Sequence, residues 1–296
     1  MSAAIINGKQ IAEEIKFKIK QETDHLKAER GITPGLAFIL VGDNPASQSY
    51  VKMKEKGCNE VGFYSITEKL SGYVSEEIII RLIEQLNNDP QIHGILTQLP
   101  LPSHIREDRI LGAIDYRKDV DGFHPINAGR LLLGQPCFVP CTPLGVQELL
   151  IHSGNYPSGK HVVVVGRSHI VGKPLANLLM QKNERGNAIV TVVHSSVKDI
   201  SLYTRQADIL IVAIGSPEFI TGEMVKKGGI VIDVGINRVK DNDAKIGYRI
   251  TGDVHFQSVV NIASAITPVP GGVGPMTIAI LLRNTLWAAS RKIYSE

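Results

Sequence analysis

Apolar residues along this chain follow two rhythms that alternate from end to end. Short, β-branched, near-continuous runs predict strands over residues 36–41, 94–98, 161–165, 189–194, 208–214 and 229–234. Between them, apolar positions recur at helical spacing and predict helices over 9–29, 75–87, 143–153, 173–181 and 276–294. In the last of these Ile278, Leu281, Leu282, Thr285, Leu286 and Ala289 share the repeat, and Pro275 is placed to open the helix. Runs such as Val162-Val-Val-Val165 suit a parallel sheet covered on both faces. The alternation as a whole predicts α/β architecture.

At 296 residues the chain is long for one core and about right for two domains. A proline-rich stretch without periodicity, 134–143, marks the main boundary. Hydrophobic residues make up 43% and charged residues 21%, the balance of a globular protein. The net charge of +3 is spread thinly and forms no basic block, so nucleic acid is not expected as a partner. Three cysteines, Cys58, Cys137 and Cys141, offer no disulfide framework, and their odd count fits a reducing compartment. No second Cys/His pair accompanies Cys137 and Cys141, so no metal is expected. The N-terminus lacks a signal-peptide core and no apolar run approaches a membrane span of ~20 residues. The expected location is the cytoplasm, with no membrane association.

Three lysines stand close together in Tyr50-Val-Lys52-Met-Lys54-Glu-Lys56. On a helix Lys52 and Lys56 share a face, while Lys54 points away, with Tyr50 at i−4 and Cys58 at i+4. A lysine on the less polar face loses hydration, which lowers its pKa towards values useful for proton transfer. From this segment alone, a solvated helix with a snorkelling Lys54 is the stronger reading.

Val162-Val-Val-Val-Val-Gly166-Arg-Ser168-His-Ile-Val-Gly172 reads as a strand, a glycine-punctuated turn and a helix start. Gly166 allows a sharp turn, Gly172 allows close packing, and free N–H groups at the helix start can meet a pyrophosphate. Ser168 stands where a dinucleotide fingerprint has its second glycine, so the motif is weak and an ordinary βα turn is equally compatible. The next strand ends Thr191-Val-Val-His194-Ser195-Ser196, without the carboxylate that holds the ribose of NAD. Hydroxyls there, with the guanidinium of Arg167, suit a 2′-phosphate, so NADP is the expected dinucleotide.

Three further segments are polar or glycine-rich beyond the needs of a core. Gln98 ends a predicted strand before Leu99-Pro-Leu-Pro102, Asp119 and Asp121 precede Gly122, and 267–277 is rich in glycine and proline. Read singly, these are loop punctuation, a turn and a sheet end. Together they resemble the bifunctional methylenetetrahydrofolate dehydrogenase/methenyltetrahydrofolate cyclohydrolase family. The likeness is carried by Tyr50-Val-Lys-Met-Lys54, Gln98-Leu-Pro-Leu-Pro102, Lys118-Asp-Val-Asp-Gly122, Ile126-Asn-Ala-Gly-Arg130, Pro140-Cys-Thr-Pro143, Gly166-Arg-Ser-His-Ile-Val-Gly172 and Thr267-Pro-Val-Pro-Gly-Gly-Val-Gly-Pro-Met-Thr277. These pieces span almost the whole chain in family order, and the last is the most specific.

The resemblance implies two α/β domains with a cleft between them. A folate-binding catalytic domain would comprise 1–140 and 275–296, closed by the C-terminal helix, and a Rossmann-like NADP domain 141–274. It implies a homodimer acting on tetrahydrofolate derivatives. It also implies that Lys54 is the base, that Tyr50 positions substrate, that Gln98 orients Lys54 and that Asp121 holds the pterin. Thr97, Leu99, Pro270, Gly271, Gly272, Val273 and Gly274 would line the folate site, and Gly166, Arg167, Ser168, Ser195, Ile236 and Thr142 the NADP site. A dehydrogenase without hydrolase activity and a non-catalytic nucleotide-sensing module are the rival readings.

Overall fold

The computed structural model describes residues 2–241 and 247–294. The chain begins with β1 (Ala4–Ile5), α1 (Gly8–Arg30), β2 (Gly35–Val41), α2 (Pro45–Glu60), β3 (Tyr64–Leu70), α3 (Glu76–Asn88) and β4 (Gly94–Thr97). It continues with α4 (Glu107–Ala113), α5 (Pro125–Leu132), α6 (Cys141–His152), β5 (His161–Val165), α7 (Gly172–Met180), β6 (Ile189–Val193) and α8 (Ser201–Thr204). The remainder is β7 (Ile209–Val212), β8 (Ile230–Asp233), β9 (Asn237–Lys240), β10 (Tyr248–Thr251), α9 (Phe256–Val259), β11 (Ala265–Ile266) and α10 (Val273–Ala289). Among the described residues no helix is long and apolar enough to cross a membrane.

Two compact units result, one of residues 1–12 with 142–277 and one of 13–141 with 278–296. Residues 1–12 therefore group with 142–277, whereas the sequence reading put them with the N-terminal domain. The reason is β1, which pairs in parallel with β11, Ala4 opposite Ala265. A two-residue strand is too short to show a period, so it could not be read in advance.

The first unit is built on a six-stranded sheet in the order β1-β11-β8-β7-β5-β6, parallel throughout, with β9 and β10 as a separate antiparallel hairpin. Val163, Val165, Leu210, Val212, Val231 and Ile266 form its core with Val254 and Val259. Chain order runs from β5 outward to β6, then returns to β7 on the other side of β5. In sheets of this kind such a reversal, beyond the carboxyl ends of the strands, is the usual ligand position.

The second unit holds a three-stranded parallel sheet, β3-β2-β4. The central strand β2 is buried along its whole length, as its unbroken apolar sequence requires. Ile79, Ile83 and Leu86 of α3 and Ile110 of α4 pack on Ala37, Ile39 and Ile95. The edge strand β3, Tyr64-Ser-Ile-Thr-Glu-Lys-Leu70, is only half-buried and too polar to stand out by pattern. The last helix starts at Val273 rather than Met276, with Pro275 inside its first turn, where a missing N–H costs nothing, and it ends at Ala289 rather than Tyr294.

Candidate active site

Helix α2 starts from a firm cap: the Asn44 side chain accepts the amides of Ala46 and Ser47, and Pro45 fills the first turn. From that start the face carrying Ser47, Val51, Lys54 and Cys58 turns inward, while Lys52 and Lys56 remain exposed. Lys54 keeps only 8% of its surface. Its Nζ donates to Oε1 of Gln98 at 2.9 Å. Gln98 follows β4 directly, and its own Nε2 donates to the Leu99 carbonyl at 2.7 Å, which leaves Oε1 to face the lysine. Burial pushes the Lys54 pKa down, with Asp121 and Cys141 opposing the shift. A fixed, dehydrated amine in this state is disposed to act as a base.

Tyr50 lies half-buried one turn before Lys54, and Leu99 is half-buried beside Gln98. The Thr97 hydroxyl is buried with no hydrogen-bond partner among the described residues, an atom that a bound molecule can satisfy. Asp121 is partly buried, and burial pushes its carboxyl up while Lys54 and a hydrogen bond with Cys141 hold it back. The Cys141 thiol is pushed well above its usual value, chiefly by burial, so it stays protonated and donates to the Val120 carbonyl at 3.4 Å. The structure thus brings Tyr50, Lys54, Thr97, Gln98, Leu99 and Asp121 into the three-stranded unit.

The other candidates gather in the six-stranded unit, beyond the carboxyl ends of its strands. Gly166 has φ +122° at the end of β5, and a Cβ there would stand 2.2 Å from the Ala213 carbonyl oxygen. A Cβ on Gly172 would stand 2.1 Å from the Gly166 carbonyl oxygen. Both glycines are therefore obligatory for this βα turn. Arg167 and Ser168 are exposed in the turn, and Ser195 is exposed just past β6, the strand beside β5.

Ser168 modifies the expectation of free amides at the helix start. Its Oγ accepts the amide of Val171 at 3.1 Å and, more weakly, that of Gly172 at 3.4 Å. Its hydroxyl therefore does part of the work that a phosphate oxygen would do at a glycine in that position.

Thr142 at the start of α6 shares a hydrogen bond with Thr277 of α10, Oγ1 to Oγ1 at 3.0 Å. Ile236 is exposed after β8, 3.5 Å from where a Cβ on Gly274 would lie. The Pro270–Gly274 segment is held by the start of α1: the Lys9 amide donates to the Gly271 carbonyl at 3.0 Å. A Cβ on Gly8 would stand 1.9 Å from the Gly272 carbonyl oxygen. Pro270 is exposed at the tip and Val273 is buried.

Family models for tetrahydrofolate dehydrogenase/cyclohydrolase match residues 6–121 as the catalytic domain and 140–293 as the NAD(P)-binding domain. The chain belongs to this family. The bifunctional protein FolD of Syntrophus aciditrophicus is 56% identical over 98% of both chains. Among solved structures, the bifunctional FolD methylenetetrahydrofolate dehydrogenase/cyclohydrolase of Campylobacter jejuni is 49% identical with a TM-score of 0.92, covering 98% of this chain and 100% of its own. The Trypanosoma brucei enzyme, complexed with NADP cofactor and an inhibitor, is 40% identical with a TM-score of 0.93 over 99% of both.

In this tetrahydrofolate dehydrogenase/cyclohydrolase, four groups near the candidate residues have roles that the sequence did not reveal. Cys141 was weighed for a disulfide and for a metal but given no place in the site, although Pro140-Cys-Thr-Pro143 was among the family-like pieces. Asp119 is buried and accepts the amides of Gly122, Phe123 and His124, the turn in which Asp121 sits. In the NAD(P)-binding domain Asp253 accepts the amides of Ile214 and Gly215 at 2.8 and 3.0 Å and the Asn237 side chain at 2.8 Å. Asp233 accepts the amides of Gly235, Asp253 and Val254, and burial pushes its carboxyl up to about 7. These two acids tie together the ends of β7 and β8. An aspartate closing the apolar run Ile230-Val-Ile-Asp233 was the visible hint.

Proposed function

We propose that the chain oxidises 5,10-methylenetetrahydrofolate to 5,10-methenyltetrahydrofolate with NADP⁺ and hydrolyses that product to 10-formyltetrahydrofolate. The observation that carries this reading is the buried Lys54 amine, oriented by Gln98 and neighboured by Asp121. The turn with Gly166 and Gly172, where side chains would strike backbone, fits a dinucleotide lying close to the main chain. NADP⁺ supplies the hydride acceptor. Arg167 and Ser195 would hold its 2′-phosphate, Ser168 and the close-packed Gly166 turn would receive its pyrophosphate, and Ile236 and Thr142 the rest of it.

Asp121 would accept two hydrogen bonds from the pterin ring, and Tyr50, Thr97, Leu99 and Pro270–Gly274 would complete the folate site. In hydrolysis a water oxygen bonds to the cationic methenyl carbon as a water proton passes to the neutral Lys54 amine. The bond from that carbon to N5 then breaks, the second water proton goes to N5, and the formyl group remains on N10. A cationic substrate beside Lys54 further favours the neutral amine. By the family resemblance, the chain works as a homodimer in the cytoplasm.

The test is to mix purified protein with methylenetetrahydrofolate and NADP⁺ and follow NADPH, methenyl absorbance and formyl product together. NADPH and 10-formyltetrahydrofolate are expected to appear in equal amounts with little methenyl species. Methenyl accumulation without formyl product would leave a dehydrogenase alone, and the absence of NADPH would overturn the enzymatic reading.

A further inference from the structure

Asp121 sits in a turn whose other residues make the hydrogen bonds. Asp119 accepts from Gly122 N at 3.1 Å and Phe123 N at 3.2 Å through Oδ1, and from His124 N at 2.8 Å through Oδ2. Its Oδ2 also accepts from Nδ2 of Asn127 at 2.8 Å, and the same Nδ2 donates to the Tyr116 carbonyl at 2.9 Å. Asn127 is fully buried on α5. Both of its amide protons are therefore committed, and only Oδ1 remains to be satisfied. The hydroxyl of Tyr294 donates to that oxygen.

Tyr294 lies past the end of α10 and is itself held firmly. Tyr116 and Phe138 meet its ring edge-on, with centroids 5.0 and 5.6 Å away. The Arg130 guanidinium stacks over it at 5.3 Å. Burial pushes its hydroxyl pKa up, so it stays a donor across the physiological range. A flipped Asn127 would turn its carbonyl towards Asp119 and its NH₂ away, breaking the support of the turn. The Asp119 carboxylate and the Tyr116 carbonyl, which can only accept, set the orientation of the amide, and the Tyr294 hydroxyl anchors it there from the Oδ1 side.

We propose that Tyr294 is a positioning residue for the folate: its hydroxyl fixes the Asn127 amide, and through Asn127 and Asp119 it fixes the turn that presents Asp121. The inference rests on the assignment of Asp121 to the substrate. None of the three supporting side chains needs to touch folate, since their effect is on where the Asp121 carboxylate stands.

Tyr294→Phe keeps the ring, its aromatic neighbours and the stacked arginine, and removes only the donor. The loss of one hydrogen bond should raise KM for methylenetetrahydrofolate about three- to tenfold. KM for methenyltetrahydrofolate in hydrolysis should rise by a similar factor, while KM for NADP⁺ and both kcat values stay close to native. A lowered Tm with both folate KM values unchanged would mean a structural tyrosine only, and would overturn the proposal.

Asp121→Ala and the double variant complete the cycle. If the effect runs through Asp121, Tyr294→Phe should add little to Asp121→Ala. A full, independent further rise would overturn the relay. If Asp121→Ala alone leaves folate KM native, the assignment of Asp121 falls and this inference falls with it. If Asp121→Ala raises folate KM and Tyr294→Phe does not, only the relay is wrong.

Discussion

Burying an ammonium group is unfavourable, and the Lys54 amine is held against the neutral amide oxygen of Gln98. Burial holds the folded-state pKa below that of an ordinary lysine, so between the two the unfolded chain binds a proton that the native chain does not. Stability therefore rises with pH through that window and carries the full penalty below it. Lys54→Met removes the charge and keeps the stem, so at pH 7 the variant should melt above wild type. The gap should narrow as pH approaches 10, and a variant that melts lower at pH 7 would contradict this account. The same substitution should slow methenyl hydrolysis by roughly 10²–10⁴-fold, the usual contribution of a general base. Hydride transfer needs no enzyme proton and should fall much less, so the methenyl species should accumulate. Near-native hydrolysis would show that Lys54 is not the base.

The βα turn after β5 is governed by two contacts that leave no space for a methyl group. At Gly172 the Cβ of alanine would lie 2.1 Å from backbone that cannot rotate away. Gly172→Ala should therefore shift α7 against β5, at a cost of about 1–3 kcal/mol. KM for NADP⁺ should rise at least tenfold, with Tm lowered by several degrees. Unchanged cofactor binding would mean that the turn does not hold the dinucleotide. Gly42, by contrast, has φ +78° but meets nothing closer than 3.5 Å, so its need for glycine is conformational. Helix α2 shows the complementary case, in which a local signal suffices: Asn44, Pro45 and the apolar spacing set both its start and its inward face.

At the scale of the whole molecule, the cofactor candidate Arg167 and the folate candidate Asp121 lie in different units, and their substitutions should differ in which activities they reach. Arg167 is in the six-stranded unit and would touch only the cofactor, so Arg167→Ala should raise KM for NADP⁺ far more than for NAD⁺. Hydrolysis of supplied methenyltetrahydrofolate should continue at its native rate. Asp121 would serve the folate in both steps, so Asp121→Ala should damage oxidation and hydrolysis alike, by about 1.5–3 kcal/mol for each charged hydrogen bond lost. Equal effects of Arg167→Ala on NADP⁺ and NAD⁺ would remove its role in reading the phosphate.

Periodicity alone determined the α/β class, the apolar strands and the longer helices, and the face of α2 that carries Lys54, but it missed the polar edge strand β3. Each feature that it found is a local property, repeated over enough residues to exceed chance. Gly166 and Gly172 were legible as a sharp, close-packed βα turn, but with Ser168 at the second glycine position the segment alone did not mark it as a nucleotide turn. Tertiary structure alone decided what surrounds them. Gln98 is 44 residues from Lys54, and nothing in either segment names the other. Cys141 became a neighbour of Asp121, Tyr294 a partner of Asn127, and β1 a strand beside β11 only through long-range packing. Such pairs are single contacts between distant segments, with no repeat to betray them. Lys54 itself shows the limit most clearly: the helix gave its direction, but the fold's withdrawal of water from that face changed its chemistry.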